Sequence, residues 1–193
     1  KGVRELIEAV ICLKDKHVKL MIMGSANSGK KAFSSYERKV KKIAQENSDR
    51  IIFTGYVDNS QVYKYAAAAD VQCVPTLAEE AAGLVILEAM TEGLPLIVTK
   101  SGGVTEYIDD TTALIVERDG IVENLKNAIC YLKDNPELRN QMSKNAKIQS
   151  KKYGEETYYN NFVKTVYEII EENKIGEKEN MNSRIYDFPE ESV

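Results

Sequence analysis

Glu80 and Glu88, separated by seven residues with Gly83 between them, are the side chains of this 193-residue sequence whose types and spacing could do chemistry. An ionised carboxylate only accepts hydrogen bonds, so two of them along one ligand would take hydroxyl donors. Gly83 falls at the expected start of a helix, where unpaired N–H groups and the helix dipole favour an anion. The result is a phosphate seat flanked by two hydroxyl acceptors, one suited to a ribose and the other to a sugar. At a rise of roughly 1.5 Å per residue, Glu88 lies about one turn inside the helix and Glu80 outside it. Glu79 and Glu80 precede the helix in a loop. Glu88 interrupts the run Leu84, Val85, Ile86, Leu87, Ala89 and Met90, whose breadth predicts an apolar surface covered on most sides. A charge placed there costs free energy unless something pairs with it.

The elements that must position these groups alternate along the chain. Apolar runs at residues 18–23, 50–55, 71–74, 96–99 and 113–116 read as strands. Helical spacing puts helices at 3–13, at 36–45, from a cap at Asn59 to Ala69, from Gly83 to the stop signals Gly93 and Pro95, and briefly near 104–108. After Asp119 the pattern is helical only, at 121–132, 136–148 and 155–171. Strands alternating with helices at this spacing predict an α/β fold with a doubly wound parallel sheet, followed by closing C-terminal helices. In such sheets ligands bind beyond the carboxyl ends of the strands. Gly24, Gly55, residues 75–83 and residues 101–103 all fall at those ends, so four loops should converge on one edge.

The string from Glu80 through Gly83, Leu84 and Glu88 to Ala89 and Met90, continued by Gly93, Leu94 and Pro95, resembles the donor-site motif of the retaining family 4 glycosyltransferases, whose fold is called GT-B. The resemblance implies a Rossmann-like, nucleotide-sugar-binding C-terminal half of such an enzyme. It makes Glu80 the contact to donor-sugar hydroxyls and Glu88 the holder of the nucleotide ribose. Gly83 and Leu84 then meet the diphosphate at the helix start. The Lys1-Gly2 pair resembles the one that opens the first helix in that family, where the lysine neutralises the diphosphate together with an arginine several residues earlier. Glu80 and Lys1 are therefore the catalytic candidates. Gly24 becomes the glycine turn near the diphosphate, Tyr56 and Val57 flank the base, and Gly102 and Gly103 shape the diphosphate-sugar pocket. An aromatic commonly stands where this chain has Ala82.

The same resemblance implies retaining, metal-independent transfer of a sugar to a glycan, lipid or small-molecule acceptor, as in polysaccharide biosynthesis, with no cofactor beyond the nucleotide sugar. No acidic cluster of D-x-D type is present to hold a metal. The chain opens in mid-helix without a start Met, so it reads as a fragment lacking an N-terminal acceptor domain; any peripheral membrane association would run through that domain. Residues 1–172 are expected to form the nucleotide-sugar-binding domain with its closing helices, and the polar stretch 173–193 a flexible tail.

Composition narrows the alternatives. A hydrophobic share of 43% supports a proper core, and a net charge of −4 with pI near 5.3 gives no basic surplus for nucleic acid. Cys12, Cys73 and Cys130 are widely spaced in apolar settings, which suits neither a disulfide framework nor a metal site and points to the cytoplasm. Residues 24–30 satisfy G-x4-G-K after a strand, the signature of a phosphate-cradling loop of nucleotide-binding proteins. However, Lys31 stands where a magnesium-ligating Ser or Thr is needed. A non-catalytic nucleotide-sugar sensor is the other rival. His17, the only histidine, reads as a surface residue, and Tyr153, Tyr158 and Tyr159 as helix packing.

Overall fold

The computed structural model describes residues 2–24, 34–47, 49–79, 81 and 83–185, with side chains described through residue 173. Two compact units divide the chain, Lys1–Ser150 and Lys151–Val193. Lys1, Glu80, Ala82 and residues 25–31 lie outside the described residues, and of the glycine-lysine loop only Gly24 lies inside them.

In the first unit the elements run α1 (Val3–Ile11), β1 (Leu20–Met23), α2 (Ser35–Gln45), β2 (Ile51–Gly55), α3 (Asn59–Ala66), β3 (Gln72–Val74), α4 (Leu84–Glu92), β4 (Leu96–Thr99), a 3₁₀ turn (Gly102–Glu106), β5 (Ala113–Val116), α5 (Ile121–Asp134) and α6 (Pro136–Ser150). Every strand pairing is parallel: Leu20 lies opposite Ile51, Gln72 opposite Leu96, and Leu96 opposite Ala113. A parallel pair cannot close with a hairpin, which is why α2 and α4 appear as crossovers. Among the described residues the ladders form two sheets, β1–β2 and β3–β4–β5, where a single sheet was expected.

Packing joins what the ladders leave apart. Helix α1 presents Ile7 to Val40, Ala44 and Ile51 over the first sheet, and Leu6 and Ala9 to Ile97, Leu125 and Leu132 over the second. Leu20 belongs to both clusters. Strand β4 is buried on both faces: Leu96 and Val98 pack with Ile86, Met90, Val104 and Ile108, while Ile97 faces α1 and α5. Helices thus cover both sides of the sheet, as double winding requires. Each such side chain contributes about 1.5–3 kcal/mol by leaving water. Arg50, only 6% exposed, donates to the carbonyls of Leu13, Asp15 and Val18, so its buried charge holds the turn that leads from α1 into β1.

Local chemistry sets the helix ends. Ser34 and Glu37 form a reciprocal capping box at α2. At α3 the cap is Asp58, whose carboxylate accepts from the Ser60 N–H at 2.9 Å, and the expected cap Asn59 is the first helical residue. Cys12 is exposed, against the apolar setting expected of it.

The second unit consists of a 3₁₀ turn (Lys151–Tyr153) and a long helix α7 (Glu155–Ile185), which continues well past the expected stop at 171. Thr157 closes its first turn onto the Lys151 carbonyl, and Tyr158 stacks with Phe162 at a centroid distance of 6.5 Å. Tyr158 and Tyr159 stand exposed rather than packed, as do Phe162 and Tyr167. No helix among the described residues is long and apolar enough to cross a membrane.

Candidate functional site

The carboxyl ends of the strands carry the loops singled out by the sequence. Beyond β1 and β2 the Gly24 N–H donates to the Gly55 carbonyl at 2.9 Å, so those two ends are tied backbone to backbone. Tyr56, just past β2, is 56% exposed and Val57 half-buried, so only the tyrosine ring presents a broad face to solvent. Gly2 caps α1 with φ 67° and abuts the end of β3 so closely that any side chain there would collide with the Pro75 carbonyl. Glycine is therefore required between position 1 and the helix. This contact brings the start of α1 to the loop that carries Glu79.

That loop is fastened at nearly every step. The buried Thr99 hydroxyl, at the end of β4, donates to the Thr76 carbonyl at 2.6 Å, and the buried Ser101 hydroxyl to the Ala78 carbonyl at 2.7 Å. Arg118, just beyond β5, donates to the Glu79 carboxylate at 2.6 Å and through Nε to the Lys100 carbonyl at 3.0 Å. A Cβ on Gly103 would stand 2.5 Å from the Ala81 carbonyl oxygen, closer than side chains are found, so the glycine lets the two loops touch. The Arg118 hydrogen bond, with the Gly102 N–H bond and the Arg118 charge adding to it, holds the Glu79 carboxyl below its ordinary range.

Helix α4 opens at Gly83, a buried N-cap residue with no side chain to occupy the first turn. Gln72 of β3 donates to the Val85 carbonyl at 3.1 Å and so anchors that turn to the sheet. The helix buries Ile86, Ala89 and Met90, but Leu84 is 67% exposed, and Val85 and Glu88 are exposed too. The expectation of a helix covered on most sides is therefore corrected, and with it the desolvation cost assigned to Glu88: its carboxylate stands on a solvent-facing stripe, one turn beyond Leu84. Exposure leaves it within reach of a ligand lying across the first turn.

Of the sequence candidates, the structure places Gly24, Tyr56 and Val57 at the ends of β1 and β2, Gly83, Leu84 and Glu88 at the start of α4, and Gly102 and Gly103 against the loop after β3. Lys1 and Glu80 lie outside the described residues. Sequence reasoning missed Thr99, Ser101 and Arg118. The signal open to it was a hydroxyl closing an apolar strand and another beside the glycine pair; Arg118 had none, its partner lying 39 positions away. Glu106 is the last residue of the 3₁₀ turn. His17 is exposed in the turn before β1. The thiol of Cys73, in β3, is pushed up to about 12 by burial and stays protonated. Among the described residues no group of three His, Cys, Asp or Glu side chains is gathered as metal ligands would be.

A family model described as glycosyl transferases group 1 matches residues 1–149. Among curated proteins the chain is 30% identical over 150 residues to a GDP-mannose-dependent monoacylated alpha-(1-6)-phosphatidylinositol monomannoside mannosyltransferase of Corynebacterium glutamicum, covering 74% of this chain and 37% of that protein. Among solved structures it is similar to sucrose-phosphate synthase from Thermosynechococcus elongatus, with TM-score 0.75 and 26% identity over 88% of this chain and 42% of that one. It has the same fold as Anabaena HepE in complex with UDP and glucose, with TM-score 0.75 and 23% identity over 87% of this chain and 45% of that one. The chain thus spans less than half the length of each. The fold is the Rossmann-like half of a GT-B glycosyltransferase.

Proposed function

The chain belongs to the group 1 glycosyl transferases, and from that premise we propose that it binds the nucleotide diphosphate sugar donor of a retaining, metal-independent glycosyltransferase. The observation that carries this reading is the first turn of α4, which starts at Gly83 with no side-chain cap, is anchored to β3, and is flanked by the exposed Leu84 and Glu88 and by the loop through Glu79. Helix N–H groups there meet the diphosphate. Glu88 takes the ribose, and Glu80 the sugar. Tyr56 and Val57 flank the base, and Gly24, Gly102 and Gly103 let the backbone close on the ligand. Lys1, next to a glycine that must be a glycine, adds a cation to the diphosphate as the leaving group departs. The complex of HepE with UDP and glucose supports a ligand of this class. A domain spanning 1–172, a tail beyond it and a cytoplasmic setting belong to the same reading.

Sugar transfer needs an acceptor held against the anomeric carbon, and ordering two reactants can supply about 7–11 kcal/mol of barrier reduction. In this reading the chain supplies the donor side. The chain alone should bind donor weakly and transfer nothing. The test is a transfer assay with a protein extended to the length of its relatives, run in EDTA against glycan, lipid and small-molecule acceptors, with the product anomer read by NMR. Transfer in EDTA with the donor anomer kept supports the reading. A strict metal requirement or an inverted product contradicts it.

A further inference from the structure

We propose that Arg118 and Glu79 are positioning residues that fix the sugar end of the donor site by tying the loops after β3, β4 and β5 into one frame. This deepens the donor-binding reading and rests on it, since it takes Glu80 as the sugar contact. The two side chains come from loops far apart in the sequence and neither lies in the motif that points to the donor.

The geometry is that of a tether. One guanidinium spans two loops, donating through one NH2 to Glu79 at 2.6 Å and through Nε to the Lys100 carbonyl at 3.0 Å. The glycine loop is drawn in as well, since Gly103 lies against the Ala81 carbonyl so closely that a Cβ there would stand 2.5 Å from its oxygen. The rest of the stretch is held from beneath by Thr99 on Thr76 and Ser101 on Ala78. Arg118 therefore secures the last described position before Glu80. Holding the loops together before a ligand arrives leaves less for that ligand to order.

Magnitude distinguishes this role from a stabilising one. The Glu79 side chain is 69% exposed and that of Arg118 33%, and a pair so placed adds little to folding. Its effect should appear in ligand discrimination and leave the melting temperature almost unchanged. Arginine suits the task because its planar fork meets two acceptors at once, which a lysine ammonium on a flexible stem does not reproduce.

The experiment compares the chain with its Arg118→Ala and Arg118→Lys variants by calorimetry against UDP-glucose, GDP-mannose, UDP and GDP. Arg118→Ala should weaken the better-bound nucleotide sugar about tenfold while shifting its nucleoside diphosphate less than about twofold. Arg118→Lys should recover only part of that discrimination. Equal losses for sugar nucleotide and diphosphate, unchanged discrimination, or full recovery by lysine would each overturn the tether. Wild-type chain that binds none of the four ligands would overturn the donor reading and the proposal with it, whereas a failure confined to the variant overturns the tether alone.

Discussion

Beyond β1 and β2 the chain turns on glycines, joined by the Gly24 N–H bond to Gly55, and large side chains such as Met23 and Tyr56 stand 38% and 56% exposed. Beyond β3, β4 and β5 the arrangement is different: two buried hydroxyls, an arginine and a glycine contact fix successive residues of one loop. Among the described residues, the two ends of the edge are thus held by different contacts, one by a backbone tie between strand ends and the other by side chains that reach across loops. In the donor reading the first end meets the base and the second meets the sugar. A base can be recognised by a broad ring face that adapts, but a reacting carbon must be placed to a fraction of an ångström.

The largest effect that would sharpen this contrast is on stability. Ile97→Ala removes a fully buried side chain from the strand that supports the fastened end, and should cost about 2–5 kcal/mol in urea unfolding. Met23→Ala, at the end of β1 and 38% exposed, should cost less than about 0.5 kcal/mol in the same experiment, and comparable losses would break the comparison.

Next comes the ligand. Glu88→Ala should weaken nucleoside diphosphate binding by about 1–3 kcal/mol with unfolding unchanged, because the side chain is exposed. Glu80→Ala should spare the free nucleoside diphosphate and weaken only the nucleotide sugar. Calorimetry with the two ligand types checks both, and equal losses of diphosphate in the two variants would remove the division of roles.

Thr99→Val keeps the shape of a buried side chain and deletes the bond to the Thr76 carbonyl. It should cost about 1 kcal/mol of stability, and a neutral result would mean that the hydroxyl fastens nothing. The smallest effect concerns pH. Glu79 has a folded-state carboxyl below its ordinary range, so its contribution is full above the unfolded value and is lost as pH falls through the folded one. Comparing wild type with Glu79→Gln by melting temperature, the small wild-type advantage should be present at neutral pH and vanish in acid. An advantage that grew towards acid would reverse the assignment.

Much of this was legible in the sequence, for identifiable reasons. Strand β4 falls where its apolar run puts it, because a strand buried on both faces needs an unbroken run and little else explains one. The exposure of Glu88 was not legible: helical spacing shows that an apolar stripe exists, but which side a neighbour covers depends on partners elsewhere, and Leu84 and Val85 share the open side with the carboxylate. The cap of α3 slipped by one residue because Asp58 and Asn59 have similar capping chemistry, and only backbone angles decide between them. The Arg118 tether left no trace in any window, since it spans residues 79 and 118. Helix α7 outran its apolar pattern because helix formation needs no buried stripe at every turn.

The central claim, that this chain carries the donor site of a metal-independent glycosyltransferase, is tested most directly by calorimetric titration of the chain in EDTA with UDP-glucose and GDP-mannose, alongside ATP with magnesium. The account predicts saturable binding of one nucleotide sugar in EDTA, weakened by Glu88→Ala, with no comparable binding of magnesium-ATP. Binding of ATP that requires magnesium, with neither nucleotide sugar bound, would contradict it.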